Sequence, residues 1–359
     1  MRSVRIDSPH IPTQPADTHV LVEGNRRLAR HRRAESRRGH ARETGGMILL
    51  TGAAGFIGSN ILRALNRQGR DDVIAVDDLT DGRKCANLVG CSFADYLDVT
   101  ELRAAIAADR LPRLSGICHQ GGCADTTVSD GRAVMQANYS FTKEMLALAE
   151  RHGCGLVYAS SAAVYGDGRR GFRETAECER PRSPYAFSKW AVDQFLRRRF
   201  ATKAPATSVV GLRYFNVYGP REAHKGRMAS VAGHCFEAIS RGAAPRIFTG
   251  SEGFVRDFVS VEDVAAVNLH FLTSPPPALS ILNVGTGVPR SFRTLAELVS
   301  QAAGGPPPME IPFPDDLRGQ YQAYTCADIT SLRAAGYTAP FLSLEAGVEA
   351  YHHGLRQDA

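Results

Sequence analysis

Along the chain, short apolar runs alternate with segments in which apolar residues recur every three or four positions, the pattern of parallel strands alternating with helices. Ile48, Leu49 and Leu50 make the first run, and Phe56, Ile57, Ile61, Leu62 and Leu65 follow at helical spacing. Runs at residues 73–78, 94–98, 116–120, 155–161 and 207–215 predict further strands. Residues 134–151 predict one long helix containing Asn138, whose amide either braces neighbouring backbone or sits exposed. A second helix starts at Pro184, and another spans 228–240 and exposes His234. The long charged segment 167–182 reads as a surface flap.

Between the first strand and its helix lie three spaced glycines, in Thr51-Gly-Ala-Ala-Gly-Phe-Ile-Gly58. Gly52 permits a tight turn, Gly55 lets backbone approach a pyrophosphate, and Gly58 lets the helix pack closely on the strand. Phe56 and Ile57 open that helix, whose first N–H groups face an anion. Asp77 ends the second strand about twenty residues later, where a ribose-binding acid belongs. Arg83 and Lys84 are placed to meet a 2'-phosphate, which favours NADP over NAD, although Asp78 would repel one. Gln120, Gly121 and Gly122 bring the fourth strand's exit to the same ligand. Together these features predict a Rossmann-type doubly wound parallel sheet with a smaller α/β substrate-binding domain. The NADP-binding part is expected over 47–215 and about 260–286, and the substrate part over 216–259 and 287–359.

Composition narrows the class. The chain has 359 residues, 43% of them hydrophobic, enough for a large buried core. No apolar run approaches the roughly 20 residues that span a bilayer, and no signal peptide opens the chain, so a cytoplasmic protein is expected. Eight scattered cysteines form no Cys-x-x-Cys pair and read as reduced thiols, with no zinc site and no disulfide framework. The net charge of +6 is uneven: residues 1–46 hold ten arginines and five acids, leaving +1 for everything after them. A nearly neutral body excludes a basic nucleic-acid face. The arginine-rich stretch itself is expected to be disordered. Because Met47 begins the first strand, that stretch is also expected to be upstream sequence read through from a misassigned start.

The candidate chemistry lies further along. Ser160 and Ser161 end a strand at the edge where open α/β sheets place reactive groups. Tyr185 and Lys189 follow, one helical turn apart and on one face. Oxidising an alcohol needs a base for its proton, and a phenol of ordinary pKa about 10 is a poor one near neutrality. A neighbouring ammonium such as Lys189 would lower that pKa, while Ser161, or Ser160, would orient the substrate oxygen. The sequence has 38 arginines and five lysines, so a retained lysine marks a need for a compact amine that can lose its proton. Phe248, Thr249, Gly250, Ser251 and Arg256 supply hydroxyls and a cation suited to sugar or diphosphate contacts.

The glycine loop, Tyr185-Ala-Phe-Ser-Lys189 and Arg213-Tyr-Phe-Asn-Val-Tyr-Gly-Pro220 resemble the extended short-chain dehydrogenase/reductases, which remodel nucleotide sugars. Arg221-Glu-Ala-His-Lys-Gly-Arg-Met-Ala-Ser-Val231 and Ile311-Pro-Phe-Pro-Asp-Asp-Leu-Arg-Gly-Gln-Tyr-Gln322 resemble that family's ADP-heptose 6-epimerase branch. The resemblance runs from about residue 47 to the C-terminus. It implies epimerisation at C6'' by transient oxidation and re-reduction with bound NADP, for lipopolysaccharide inner-core synthesis, in a homo-oligomer, a pentamer. Two bases are implied, Tyr185 and Lys225, because the two epimers present their hydroxyls from opposite sides. Asn216, His234, Phe248 to Ser251, Arg256 and Tyr321 are implied to bind the ADP-heptose. Phe56, Ile57, Asp77, Lys84, Gln120, Gly121, Gly122, Cys123, Ala124, Lys189 and Val217 are implied to line the cofactor site.

Three positions depart from that pattern. Asp78 replaces the usual Asn, Val99 replaces a cofactor-side Lys, and Arg227 stands where a substrate-contacting Ser is common. The nearest alternatives are a 4-epimerase or 4,6-dehydratase of the same family, and, in a different class, a catalytically silent NADP-binding protein. A dehydratase would need an acid pair beside the strand-end hydroxyl, which Ser161-Ala-Ala does not offer.

Overall fold

Seven strands form one sheet in which every pairing is parallel. They are β1 Met47–Thr51, β2 Val73–Asp77, β3 Asp95–Asp98, β4 Leu114–His119, β5 Gly155–Ser161, β6 Val209–Tyr214 and an edge strand, Leu279–Val284. Their order is Leu279–Val284, β6, β5, β4, β1, β2, β3, so the winding reverses between β1 and β4 and opens a crevice at their carboxyl ends. This computed structural model describes residues 46–314 and 322–357. The expectations for the arginine-rich stretch and for Tyr321 fall outside those residues.

Alternation along the strands divides the core between the two faces of the sheet. Leu49, Ile74, Val76 and Ile117 pack with Met145, Leu148 and Val192 on one side. Ile48, Leu50, Val73 and Ala75 pack with Ile61, Leu62, Leu65 and Leu269 on the other. Beyond β6 the chain makes three short strand pairs, Asn216–Tyr218 with Phe258–Ser260, Val255–Arg256 with Arg290–Ser291, and Arg246–Phe248 with Met309–Ile311. The helices Val231–Ser240, Phe292–Ala303 and Leu344–Gln357 enclose a further core around Phe236, Leu295, Val299 and Tyr351. Among the described residues no helix is long and apolar enough to cross a membrane, and the eight cysteines are free thiols, Cys85 the exposed one.

The single helix expected over 134–151 is present and carries a π-turn, Gln136–Ser140, between Gly131–Met135 and Phe141–His152. The π-turn has a local cause: Asn138 is buried, and its side-chain amide satisfies the Cys123 backbone. One expectation needs correction. The segment 167–182 is not a flap. Phe172, Cys178 and Glu179 are buried, and Glu179 is drawn inward by charge.

That charge is Arg213, on β6, with no exposed surface. Its guanidinium donates to Asp193 through Nε at 2.9 Å and Nη2 at 2.7 Å, to Glu179 at 2.5 Å and to the Tyr165 hydroxyl at 3.0 Å. Asp193 also accepts from Tyr158 and Ser160 on β5, and Glu179 from Arg197 and Gln194. One cation therefore binds β5, β6, the helix Pro184–Arg199 and the segment 167–182 to each other. That helix starts sharply, with Pro184 in its first turn and the Ser183 hydroxyl accepting from the Ala186 N–H at 3.2 Å.

Replacing Arg213 by Met strands the buried Asp193 carboxylate and leaves Glu179 with the Arg197 cation alone, and it is expected to cost about 3–5 kcal/mol in urea unfolding. Replacing Arg199, exposed and paired with Glu150 at 2.9 Å, is expected to cost less than about 1 kcal/mol. Equal losses for the two would show that the buried pairing is not what holds these elements.

Candidate active site

A cavity of about 870 Å³ opens at the carboxyl ends of β1, β2, β4 and β5. Its floor is the glycine turn. Gly52 has φ +69°, and a Cβ there would lie 2.7 Å from the backbone of Gln120 and Gly121. A Cβ at Gly58 would come within 1.9 Å of the Gly52 carbonyl oxygen, so the close approach of helix to turn requires glycine. The helix Phe56–Arg67 begins at Gly55 with no side-chain cap and no acid in its first turn, leaving its N-terminal N–H groups to an anion. A dinucleotide's pyrophosphate fits this donor set.

Asp77 is buried at the end of β2 and holds the turn. Its Oδ2 accepts from the Ala54 N–H at 2.7 Å and its Oδ1 from Lys84 Nζ at 2.6 Å. Asp78 and Lys84 line the cavity, whereas Arg83 turns to Asp81 at 2.8 Å and is absent from the lining. Arg103, which the sequence reading overlooked, reaches the same end of the cavity beside Asp98, Val99 and Thr100, with its guanidinium on Glu144 at 2.9 Å.

The opposite wall is built from Gln120, Gly121, Gly122, Cys123 and Ala124. Asn138 fixes it: the amide accepts from the Cys123 N–H at 2.8 Å and donates to the Cys123 carbonyl at 3.1 Å and to Ser188 Oγ at 2.8 Å. Ser188 in turn donates to the Tyr185 carbonyl at 2.7 Å. The π-turn thus ties this wall to the helix that carries Tyr185 and Lys189.

Tyr185, Lys189 and Lys225 all line the cavity. Lys189 donates from Nζ to the Ala159 carbonyl at 2.9 Å, and burial draws its pKa down to about 8 against the opposing pull of Asp193. Burial pushes the Tyr185 phenol up, and a hydrogen bond with Ser161 opposes it. In the protein alone, desolvation of the phenol is the larger influence on Tyr185. Alternation separates the two serines. Ser160 Oγ donates to Asp193 at 3.1 Å, while Ser161 caps the next turn through the Ala163 N–H at 3.1 Å and meets Tyr185.

Lys225 enters from the turn Ala223–Met228, where Gly226 has φ +52°. Its ammonium lies 4.9 Å from the Phe56 ring centre and 3.9 Å from the buried Glu222, and burial lowers its pKa more than Glu222 raises it. Beside it His224 contacts Asn87 at 3.1 Å.

The residues assigned to substrate do not line this cavity. Asn216 lies on the short strand Asn216–Tyr218 and accepts from Thr325 Oγ1 at 3.3 Å; Val217 on the same strand, assigned to the cofactor, is also absent from the cavity lining. Arg227 reaches across to Thr127 at 2.9 Å, and His234 is exposed near the Arg227 carbonyl. Phe248 packs edge-on to Phe313, Thr249 donates to the Ile311 carbonyl, and the turn continues through Gly250 to the buried Ser251. Arg256 is buried on the Val255 and Gln322 carbonyls and the Phe292 ring. Neither Arg103 nor the Arg213 cluster could be found from spacing, because their partners are distant in sequence.

Residues 48–285 match the model of the NAD dependent epimerase/dehydratase family. The chain is 47% identical over 332 residues to the ADP-L-glycero-D-manno-heptose-6-epimerase of Pseudomonas paraeruginosa, covering 87% of this chain and 99% of that one. The crystal structure of the enzyme of that name from Helicobacter pylori superposes with a TM-score of 0.74 at 27% identity, over 88% of this chain and 96% of that one. Thermus thermophilus UDP-glucose 4-epimerase, solved with NAD, gives 0.71 at 31%, over 86% and 99%. By the match of residues 48–285 and by these similarities, the chain belongs to the NAD dependent epimerase/dehydratase family.

Proposed function

We propose that the chain inverts C6'' of an ADP-linked heptose, converting ADP-D-glycero-D-manno-heptose to ADP-L-glycero-D-manno-heptose, a precursor for the lipopolysaccharide inner core. The observation that carries this reading is the meeting of Tyr185, Lys189 and Lys225 in the cavity floored by the glycine turn. The Pseudomonas relative's name supports the substrate. A homo-oligomer and a division into cofactor and substrate parts are included in the proposal.

A nicotinamide dinucleotide, when bound, supplies the reversible two-electron exchange at the carbinol carbon. Tyr185 takes or returns the hydroxyl proton on one side, with Ser161 orienting the oxygen. Lys225 does so on the other, its amine favoured by burial and held by Phe56 and Glu222. Lys189 stabilises the Tyr185 phenolate as it forms. NADP is the proposed cofactor, with Lys84 and Arg103 at the 2'-phosphate and NAD as the alternative.

Incubation with ADP-D-glycero-heptose is expected to give inversion at C6'' by NMR, with no turnover of UDP-galactose; the reverse pattern would sink the assignment. Tyr185→Phe and Lys225→Met are each expected to cost at least about a hundredfold. The two losses should fall unequally on oxidation of the two epimers, and identical losses on both would refute two bases.

With the phenol pushed up and Lys189 drawn to about 8, the productive phenolate–ammonium pair is one form of a singly protonated dyad. That dyad accumulates as pH rises through about 8, so kcat is expected to rise there and then level. Lys189→Met should move the rise upward, and a limb that stays in place would assign it elsewhere. Lys84→Ala is expected to weaken NADP about tenfold relative to NAD, and equal losses by calorimetry would remove Lys84 from phosphate selection.

A further inference from the structure

The helix Pro184–Arg199 has a second face. Tyr185 and Lys189 point into the cofactor cavity, whereas Phe187, Trp190 and Gln194, on the opposite side of the helical wheel, line a separate cavity of about 710 Å³. We propose that this second cavity binds a nucleoside polyphosphate, with the phosphates on its arginines and the base on its aromatic wall.

Charge points to the phosphates. Arg169, Arg170, Arg180 and Arg182 line the cavity and are exposed. Asp167 faces them, pairing with Arg182 at 2.7 Å and Arg169 at 3.3 Å. Glu179 also borders the cavity, but its carboxylate is committed inward to Arg213 at 2.5 Å and Arg197 at 2.7 Å. Two of the four arginines pair with the one carboxylate left to the cavity, and Arg180 donates to the Glu179 carbonyl at 2.6 Å, so the lining carries an excess of positive charge, and guanidinium forks match phosphate oxygens. The rings point to a planar base. Phe187 is 46% exposed, and its centroid lies 5.5 Å from that of Trp190 at an interplanar angle of 38°. The volume suits a single nucleotide. Occupancy would also be felt at the reaction centre, because Tyr165 and Glu179 belong both to this wall and to the Arg213 cluster that seats the Tyr185 helix.

Trp190 is the only tryptophan in the sequence, so its emission reports this cavity. Titration of the full-length protein with ATP is expected to change that emission saturably, with adenosine silent and the response preserved after saturation with NADP. Combined Arg169→Ala, Arg170→Ala, Arg180→Ala and Arg182→Ala substitutions should weaken ATP about tenfold or more. Phe187→Ser should weaken ATP but not inorganic tripolyphosphate. No saturable change, loss of the response on adding NADP, or full ATP affinity in the arginine variant would each overturn the site. Tripolyphosphate binding as tightly as ATP would overturn the role of the aromatic wall. None of these readings depends on epimerase turnover.

Discussion

A guanidinium with no exposed surface cannot be sustained without negative charge at contact distance, and Arg213 meets that requirement with Asp193 and Glu179. The consequence is geometric. Asp193 lies one turn beyond Lys189 on the same helix, and it also accepts from Tyr158 and Ser160 of β5. Satisfying the cation therefore sets how the helix lies on the strand, which brings Lys189 Nζ to the Ala159 carbonyl and Tyr185 to Ser161. Tyr185 and Lys189 are placed by charges that never touch the cavity floor.

The same logic separates what was legible in the sequence from what was not. The strand, glycine turn and helix at residues 47–67 are dictated locally, since each glycine answers a clash within the turn or against its neighbour strand. Tyr185 and Lys189 share a face by helical period alone. Arg213 was visible only as part of a motif, because its partners stand 20 and 34 residues away and charged residues otherwise read as surface. The segment 167–182 was misread for that reason: its charge is partly an internal counter-ion. The π-turn at Asn138 was equally hidden, since the helical pattern runs through it and the partner of its amide, Cys123, lies 15 residues away.

Residues that line the cavity were more legible than those proposed for the substrate, for a related reason. The former sit at strand ends of one sheet, whose register fixes their approach to the crevice. The latter come from short strand pairs and turns whose arrangement depends on packing between segments far apart in sequence. Arg256 illustrates the dependence: its guanidinium lies on the Val255 and Gln322 carbonyls and the Phe292 ring, the last two from segments far apart in sequence.

The edge strand Leu279–Val284 carries a consequence for biogenesis. It pairs along the whole of β6, every residue of which is buried, and Asn283 accepts from the Tyr165 hydroxyl beside Arg213. During vectorial synthesis β6 leaves the ribosome more than sixty residues before its partner, since β6 ends at Tyr214 and the edge strand begins at Leu279. For that interval a six-residue parallel edge, apolar apart from Arg213, stands open to other nascent chains. The open edge makes the yield of folded protein depend on how that interval is passed, and not on the finished molecule's stability alone.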